Sequence, residues 1–221
     1  MILNIYKSTG STSFAVVKKI REITGDKVGH GGTLDPFAEG VLVLGTGKDT
    51  KKLTTITNDD KSYVATIQLG ATTDTLDIES KITKKKEIPR LNKNVIENVL
   101  KSFLGDSAQT PPMYSAKKIN GKKLYDLARK NISIKRTPTN ITIKNIELLE
   151  FKGSFIRFSV TCTKGTYIRV LGNDIAEKLP VAGVLGINLF AVKTELLLSM
   201  IMSPLFDPAS NCSDLKTKLD K

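Results

Sequence analysis

The stretch Gly29-His30-Gly31-Gly32-Thr33-Leu34-Asp35-Pro36 concentrates the residues of this chain that are able to do chemistry. It holds the only histidine in the sequence, three glycines and one carboxylate. Glycines permit positive φ and close backbone approach, so the stretch reads as a shaped loop. Pro36 biases Asp35 toward an extended backbone. An acid held between a glycine turn and a proline, just ahead of the apolar run 41–44, suits a catalytic carboxylate acting as nucleophile or base. An aspartate that merely caps a turn has the same spacing, and both readings stand at this point. His30 divides in the same way, between a structural hydrogen-bonding residue and a substrate contact.

Other signals narrow the class. Gly45-Thr46-Gly47-Lys48-Asp49-Thr50 invites a phosphate-loop reading but fails it, because Leu42 stands where the first glycine belongs and Asp49 follows Lys48. Of 221 residues, 34 are Lys or Arg and 22 Asp or Glu, giving a net charge of +12. That excess points first to a polyanionic partner such as nucleic acid. Cys162 and Cys212 lie far apart and form neither metal-ligand spacing nor a disulfide framework, so a reducing compartment is expected. No apolar run reaches membrane-spanning length, and the N-terminus carries no signal-peptide core.

The elements that must position these residues follow from periodicity. An apolar start at 2–6 leads to a turn rich in N-cap residues. Phe14, Val17, Ile20 and Ile23 then predict a helix over 12–24 that stops at Gly25. A strand is expected at 40–45, followed by a short helix carrying Leu53 and Ile56. Tyr63, Ala65, Ile67 and Leu69 alternate as the inward face of a half-buried strand. Residues 72–77 read as a loop, and Lys84-Lys85-Lys86 as a solvated edge. A helix is expected over 92–104 with Gly105 as its stop, then an extended loop at 111–114 and a short helix around Leu124, Leu127 and Ala128. Strands at 139–150 and 154–163 follow; Ile156, Phe158, Val160 and Cys162 share a face of the second. A helix carrying Ile168, Leu171, Ile175 and Leu179 ends at Pro180, and a last strand pattern covers 183–193. Interspersed helices and hairpin-like strands make an α+β fold with a mixed, largely antiparallel sheet flanked by helices and loops.

Five stretches in this order resemble the bacterial tRNA pseudouridine synthase B family. They are Lys7-x-x-Gly10-x-Thr12-Ser13; the Asp35 stretch through Lys51; Lys61-Ser62-Tyr63 with Leu69-Gly70-x-x-Thr73-Asp74-Thr75-x-Asp77; Gln109-x-Pro111-Pro112-x-Tyr114-Ser115-Ala116-x-Lys118 with Gly121, Tyr125, Ala128 and Arg129; and Lys164-Gly165-Thr166-Tyr167-Ile168-Arg169. The resemblance covers about residues 1–195. It implies the pseudouridine synthase catalytic fold over 1–202, with a substrate-side insertion at about 78–135. It also implies isomerisation of the T-arm uridine at tRNA position 55, without cofactor, after base flipping. Asp35, Tyr63 and Arg169 take the catalytic places: Asp35 as the essential carboxylate, Arg169 as a fixed guanidinium that opposes its neutralisation in a dry pocket, and Tyr63 stacked on the uracil. His30, Tyr167, Ile187 and Lys7 join Tyr63 as substrate-side residues, with Lys7 either supporting the active-site loops or contacting phosphate.

The chain departs from the family pattern at Ser8, where proline is usual, and at Asp77-Ile78-Glu79-Ser80, where the family has Asp-x-x-Gly. The Leu-Arg-Arg segment is reduced to Ile187-Asn188-Leu189. Residues 203–221 read as a tail, with the C-terminal PUA domain of longer members absent or vestigial. These departures leave one rival from another class, a non-catalytic tRNA-binding or RNA-folding protein on the same scaffold. The expected setting is a cytoplasmic monomer with tRNA as its partner. Binding of T-arm RNA is expected to be electrostatic and weaker than in longer members. Affinity should fall at least about tenfold between roughly 50 and 200 mM salt, as displaced counterions require; a titration that stays flat over that range would contradict it.

Overall fold

The computed structural model describes Met1–Leu179, Gly183–Val184 and Phe190–Val192. The expected strand at 183–193 falls only partly within these residues. Ile187, the degenerate segment 187–189 and the tail from 203 lie outside them. In chain order the elements are β1 (Ile2–Lys7), α1 (Ser13–Thr24), β2 (Val28–His30), β3 (Glu39–Thr46), a 3-10 turn (Gly47–Lys52), α2 (Leu53–Asn58), β4 (Lys61–Leu69), β5 (Ala71–Thr73) and β6 (Ile82–Lys85). Then come α3 (Lys93–Lys101), β7 (Gly105–Gln109), β8 (Lys118–Ile119), β9 (Lys122–Lys123), α4 (Leu124–Ala128), β10 (Thr139–Lys152), β11 (Phe155–Cys162), α5 (Ile168–Lys178), β12 (Gly183–Val184) and β13 (Phe190–Val192). The described residues form two compact units, one of Met1–Tyr63 with β13 and one running from Val64 to β12.

In the first unit β3 is the organising strand. β1 runs antiparallel to it from Ile2↔Gly45 to Lys7↔Gly40. β2 pairs with its far end, Val28↔Thr46 to His30↔Leu44, and β13 pairs in parallel with its start at Phe190↔Glu39. Leu42 and Leu44 of β3 and Val17 and Ile20 of α1 are buried in the unit's core. α1 begins where Thr12 Oγ1 accepts the Ala15 N–H at 3.0 Å and ends where Gly25, left-handed at φ 68°, donates its N–H to Arg21 O. The apolar stripe of α1 is narrower than its spacing suggests, since Phe14 is 66% exposed.

In the second unit the strand order is β4–β11–β10–β7, with β12 antiparallel to β4. β10 and β11 form a long hairpin from Ile143↔Cys162 to Lys152↔Phe155. Ile156, Phe158, Val160 and Cys162 point inward and are buried as their alternation predicts, as are Ala65, Ile67 and Leu69 of β4. Each Ile, Leu, Val or Phe among them contributes about 1.5–3 kcal/mol by burial. Ile96 and Leu100 of α3 and Leu171 and Ile175 of α5 complete this core.

The structure corrects several expectations. Residues 28–30 are strand, not loop, because pairing with β3 orders a three-residue segment that has no periodicity of its own. The expected loop at 72–77 begins as strand β5, paired with the exposed strand β6 that carries Lys84 and Lys85. β7, Gly-Asp-Ser-Ala-Gln, contains no strand-favouring side chain and is held by its ladder to β10 alone. α3 ends at Lys101 with Ser102 as its cap, so Gly105, at φ 93°, opens β7 and does not stop the helix. Among the described residues no helix is long and apolar enough to cross a membrane.

On α5, burial and the nearby Glu177 push the Asp174 carboxyl from 3.8 up to about 6. A carboxyl raised in the folded state binds its proton more tightly there than in the unfolded chain. Its contribution to stability therefore falls as pH rises from about 4 to about 6, and the full cost is present above that window. Asp174→Asn should raise stability by about 1–2 kcal/mol at pH 7–8, after discounting for partial exposure, with the gain shrinking toward pH 4. Thermal melts of both proteins across pH 4–8 check this; a gain independent of pH would refute it.

Candidate functional site

The loop bearing Asp35 is built by the residues of the first motif. Lys7, the last residue of β1, is 1% exposed. Its Nζ donates to Ser11 O at 2.7 Å, Ser8 O at 3.0 Å and Pro36 O at 3.3 Å. Gly10 N–H donates to the same Pro36 O at 2.8 Å. Ser13 Oγ donates to Leu34 O and accepts the Leu34 N–H, both at 2.9 Å. Both peptide neighbours of Asp35 are thus tied to residues 7–13, while Leu34, Phe37 and Ala38 are buried beside it. Asp35 itself is half-buried, and its carbonyl accepts the Ala38 N–H at 3.1 Å. Lys7 is turned inward as a clamp on this loop.

The glycines ahead of Asp35 serve close packing. Gly29, Gly31 and Gly32 do not have positive φ. A Cβ at Gly29 would lie 3.1 Å from Leu53 Cδ1, and one at Gly31 3.3 Å from Ile56 Cγ2. Gly45, opposite Gly29 in the ladder, would meet Asp49 O at 3.0 Å and Leu53 Cγ at 3.1 Å. α2 and the 3-10 turn therefore lie directly on the backbone of β2 and β3, as only glycine permits. His30 ends β2 half-buried, with Nδ1 buried and without a hydrogen-bond partner among the described residues. Tyr63 is half-buried in β4.

In the second unit Arg169, in the first turn of α5, is 6% exposed. Its Nη1 donates to Thr75 O at 2.7 Å and lies 3.5 Å from Asp77 Oδ2; its Nη2 donates to Tyr114 O at 2.8 Å. Asp77 is equally buried and organises its own loop. Asp77 Oδ1 accepts from Thr75 Oγ1 at 2.6 Å and from Glu79 N–H at 3.1 Å. Thr73 Oγ1 donates to Asp77 O and accepts the Asp77 N–H, and Thr75 and Ser80 hydroxyls touch. Leu76, between Thr75 and Asp77, has φ 60°, a conformation a bulky residue keeps only when its surroundings over-determine it. Tyr167, half-buried, is the N-cap of α5 and is held by Gln109 from the end of β7.

The candidate residues therefore fall in two groups: Lys7, His30, Asp35 and Tyr63 in the first unit, Tyr167 and Arg169 in the second. Asp77 and Gln109 received no role from the sequence, although both lie in the motifs. The run of hydroxyls at 73, 75 and 80 around Asp77 was the signal for the first; nothing local marks Gln109, whose partner is 58 residues away.

Residues 18–168 match the model of the TruB family pseudouridylate synthases, N-terminal domain. The chain belongs to this family. It is 46% identical over 185 residues to tRNA pseudouridine synthase B of Clostridium kluyveri, covering 83% of this chain and 64% of that protein. To tRNA pseudouridine synthase B of Clostridium novyi it is 50% identical over 179 residues, covering 80% and 62%. The chain thus spans under two thirds of the length of these relatives. Its fold is similar to a chain in the crystal structure of a Cbf5-Nop10-Gar1 complex, with a TM-score of 0.66 and 30% identity over 87% of this chain and 48% of that one. The α+β pseudouridine synthase fold expected from the motifs is the fold observed.

Asp77→Asn keeps the shape of the loop but removes the Asp77 charge from beside the buried Arg169 guanidinium. It should cost at least about 2 kcal/mol in denaturant unfolding, less than a fully isolated buried charge because two carbonyls still accept. A loss under about 0.5 kcal/mol would show that Arg169 is held without the Asp77 charge.

Proposed function

We propose that the protein is a tRNA pseudouridine synthase that isomerises the T-arm uridine at position 55. The observation that carries this reading is its likeness, near half of all positions over four fifths of the chain, to proteins named tRNA pseudouridine synthase B. Asp35 and Tyr63 fall inside the family match at 18–168, and Arg169 is the next residue after it.

The reaction breaks the bond between uracil N1 and ribose C1′, turns the base, and joins C5 to C1′. The C5 proton leaves and N1 is protonated, so the change is redox-neutral. A base stacked in folded RNA must first be flipped out. Asp35 supplies the carboxylate, either attacking the sugar or base or taking the 2′ proton; both routes need it ionised. Tyr63 stacks on the uracil and relays the C5 proton. Arg169 supplies a guanidinium whose orientation is set before substrate arrives, because Thr75, Tyr114 and Asp77 already hold it. His30 faces the flipped nucleotide in this reading, and Tyr167 forms pocket wall. The surplus of lysine meets RNA phosphates without reading sequence. The protein acts as a monomer in the cytoplasm. A pure RNA binder would have no use for a buried cation clamping the loop that carries Asp35, and that reading is not favoured.

Asp35→Asn preserves the shape of the loop and the peptide contacts to Lys7, Gly10 and Ser13. It should bind T-arm RNA within a few-fold of wild type and form no pseudouridine, measured by mapping the modified base in transcribed tRNA. Wild-type turnover in the variant would move the chemistry elsewhere. Failure of the wild-type protein to modify any tRNA would favour the binding protein.

A further inference from the structure

Gln109 closes β7, opposite Thr139 of β10, and is 5% exposed. Its side-chain amide pairs with the backbone of one distant residue in both directions. Oε1 accepts the Tyr167 N–H at 2.7 Å, and Nε2 donates to Tyr167 O at 3.1 Å. The same Tyr167 carbonyl accepts the Leu171 N–H at 3.0 Å, the first main-chain bond of α5. Tyr167 is the N-cap residue of that helix, and its own side chain makes no capping bond. A helix N-terminus leaves backbone donors to be satisfied from outside. Here the outside partner is the amide of Gln109. A second tie lies five residues further along the same segment, where Tyr114 O accepts from Arg169 Nη2 at 2.8 Å. The segment 109–114 therefore grips the start of α5 at the backbone of Tyr167 and at the head of Arg169.

We infer that Gln109 is a positioning residue for the reaction: its amide sets the first turn of α5 and through it the orientation of Tyr167 and Arg169. This rests on the synthase reading above. The chemistry is specific to a neutral amide. Asparagine is one methylene too short to reach from the same backbone. Glutamate has the right length, and its carboxylate still accepts the Tyr167 N–H, but it presents a second acceptor to the Tyr167 carbonyl and opposes it. Protonation of that carboxyl restores the donor, and burial beside a carbonyl favours the protonated form. A glutamate at this position thus converts a permanent clamp into one that closes only at low pH.

The test compares wild type, Gln109→Glu and Gln109→Ala on transcribed tRNA, with backbone hydrogen exchange recorded on each. For Gln109→Glu, kcat should fall at least about tenfold at pH 8, the size expected when a reacting group loses its fixed orientation. KM should stay within a few-fold, and the ratio of variant to wild-type kcat should recover as pH is lowered toward 5.5. For Gln109→Ala, the Tyr167 and Leu171 amides should exchange at least about tenfold faster, while those of β11 do not change. Unchanged kcat at every pH in a folded Gln109→Glu protein would overturn the inference. A loss that does not recover at low pH would assign Gln109 a merely structural role and also overturn it. Should Gln109→Ala fail to fold, the pH dependence of Gln109→Glu decides. A wild-type protein that forms no pseudouridine would overturn the synthase reading and the inference with it, whereas an active wild type with unaltered exchange in Gln109→Ala would overturn the clamp alone.

Discussion

A cation removed from water must meet carbonyls or carboxylates in return, and the segments that supply them are fixed by doing so. Each unit of this protein contains such a cation. Lys7, 1% exposed, gathers Ser8, Ser11 and Pro36 through their carbonyls. Arg169, 6% exposed, gathers Thr75 and Tyr114 through theirs and Asp77 through its carboxylate. In both cases the segments are irregular, with no strand ladder or helix to hold them. The buried charge substitutes for secondary structure where the backbone must keep one conformation without a regular hydrogen-bond pattern.

The two cations differ in kind, and the difference suits their surroundings. An ammonium is a compact point charge with three donors, and Lys7 spreads them over three carbonyls that converge on one spot. A guanidinium is a planar fork, and Arg169 spans two loops, with Nη1 toward 75–77 and Nη2 toward 114. Lysine at 169 would not bridge that gap with two aligned bonds. The strained φ of Leu76 belongs to the same arrangement, because it turns Thr75 O and Asp77 toward one guanidinium edge.

Rigid packing beneath the Asp35 loop adds to this. Gly29, Gly31 and Gly45 bring α2 and the 3-10 turn onto the strand backbone, with Leu53 filling the space their missing side chains leave. The loop therefore sits between packing that an added methyl group would displace by a few tenths of an ångström and a set of hydrogen bonds from residues 7–13. Close-packed interiors transmit a displacement of this size without absorbing it.

Much of the fold was legible in the sequence because it rests on local pattern. The alternation in β4 and β11 marked their buried faces, and Thr12 and Gly25 bounded α1. The candidate residues were legible through motif resemblance, which recovers what spacing cannot. What escaped were elements without a signal of their own. β2 and β7 are strands only because β3 and β10 lie beside them. The glycines of the Asp35 stretch looked like turn formers and proved to be packing sites, since a glycine in sequence does not say whether it serves φ or space. The choice between the two readings of Lys7, and the contacts of Asp77 and Gln109, were also decided by tertiary structure. Each depends on a partner brought close by the sheet: Pro36 is 29 residues from Lys7, and Tyr167 is 58 from Gln109. Asp77 meets Arg169, which lies equally far from any local reading. Sequence determined which residue types were present to do chemistry; the tertiary hydrogen bonds decided which of them hold others in place, because those bonds join residues far apart in the chain.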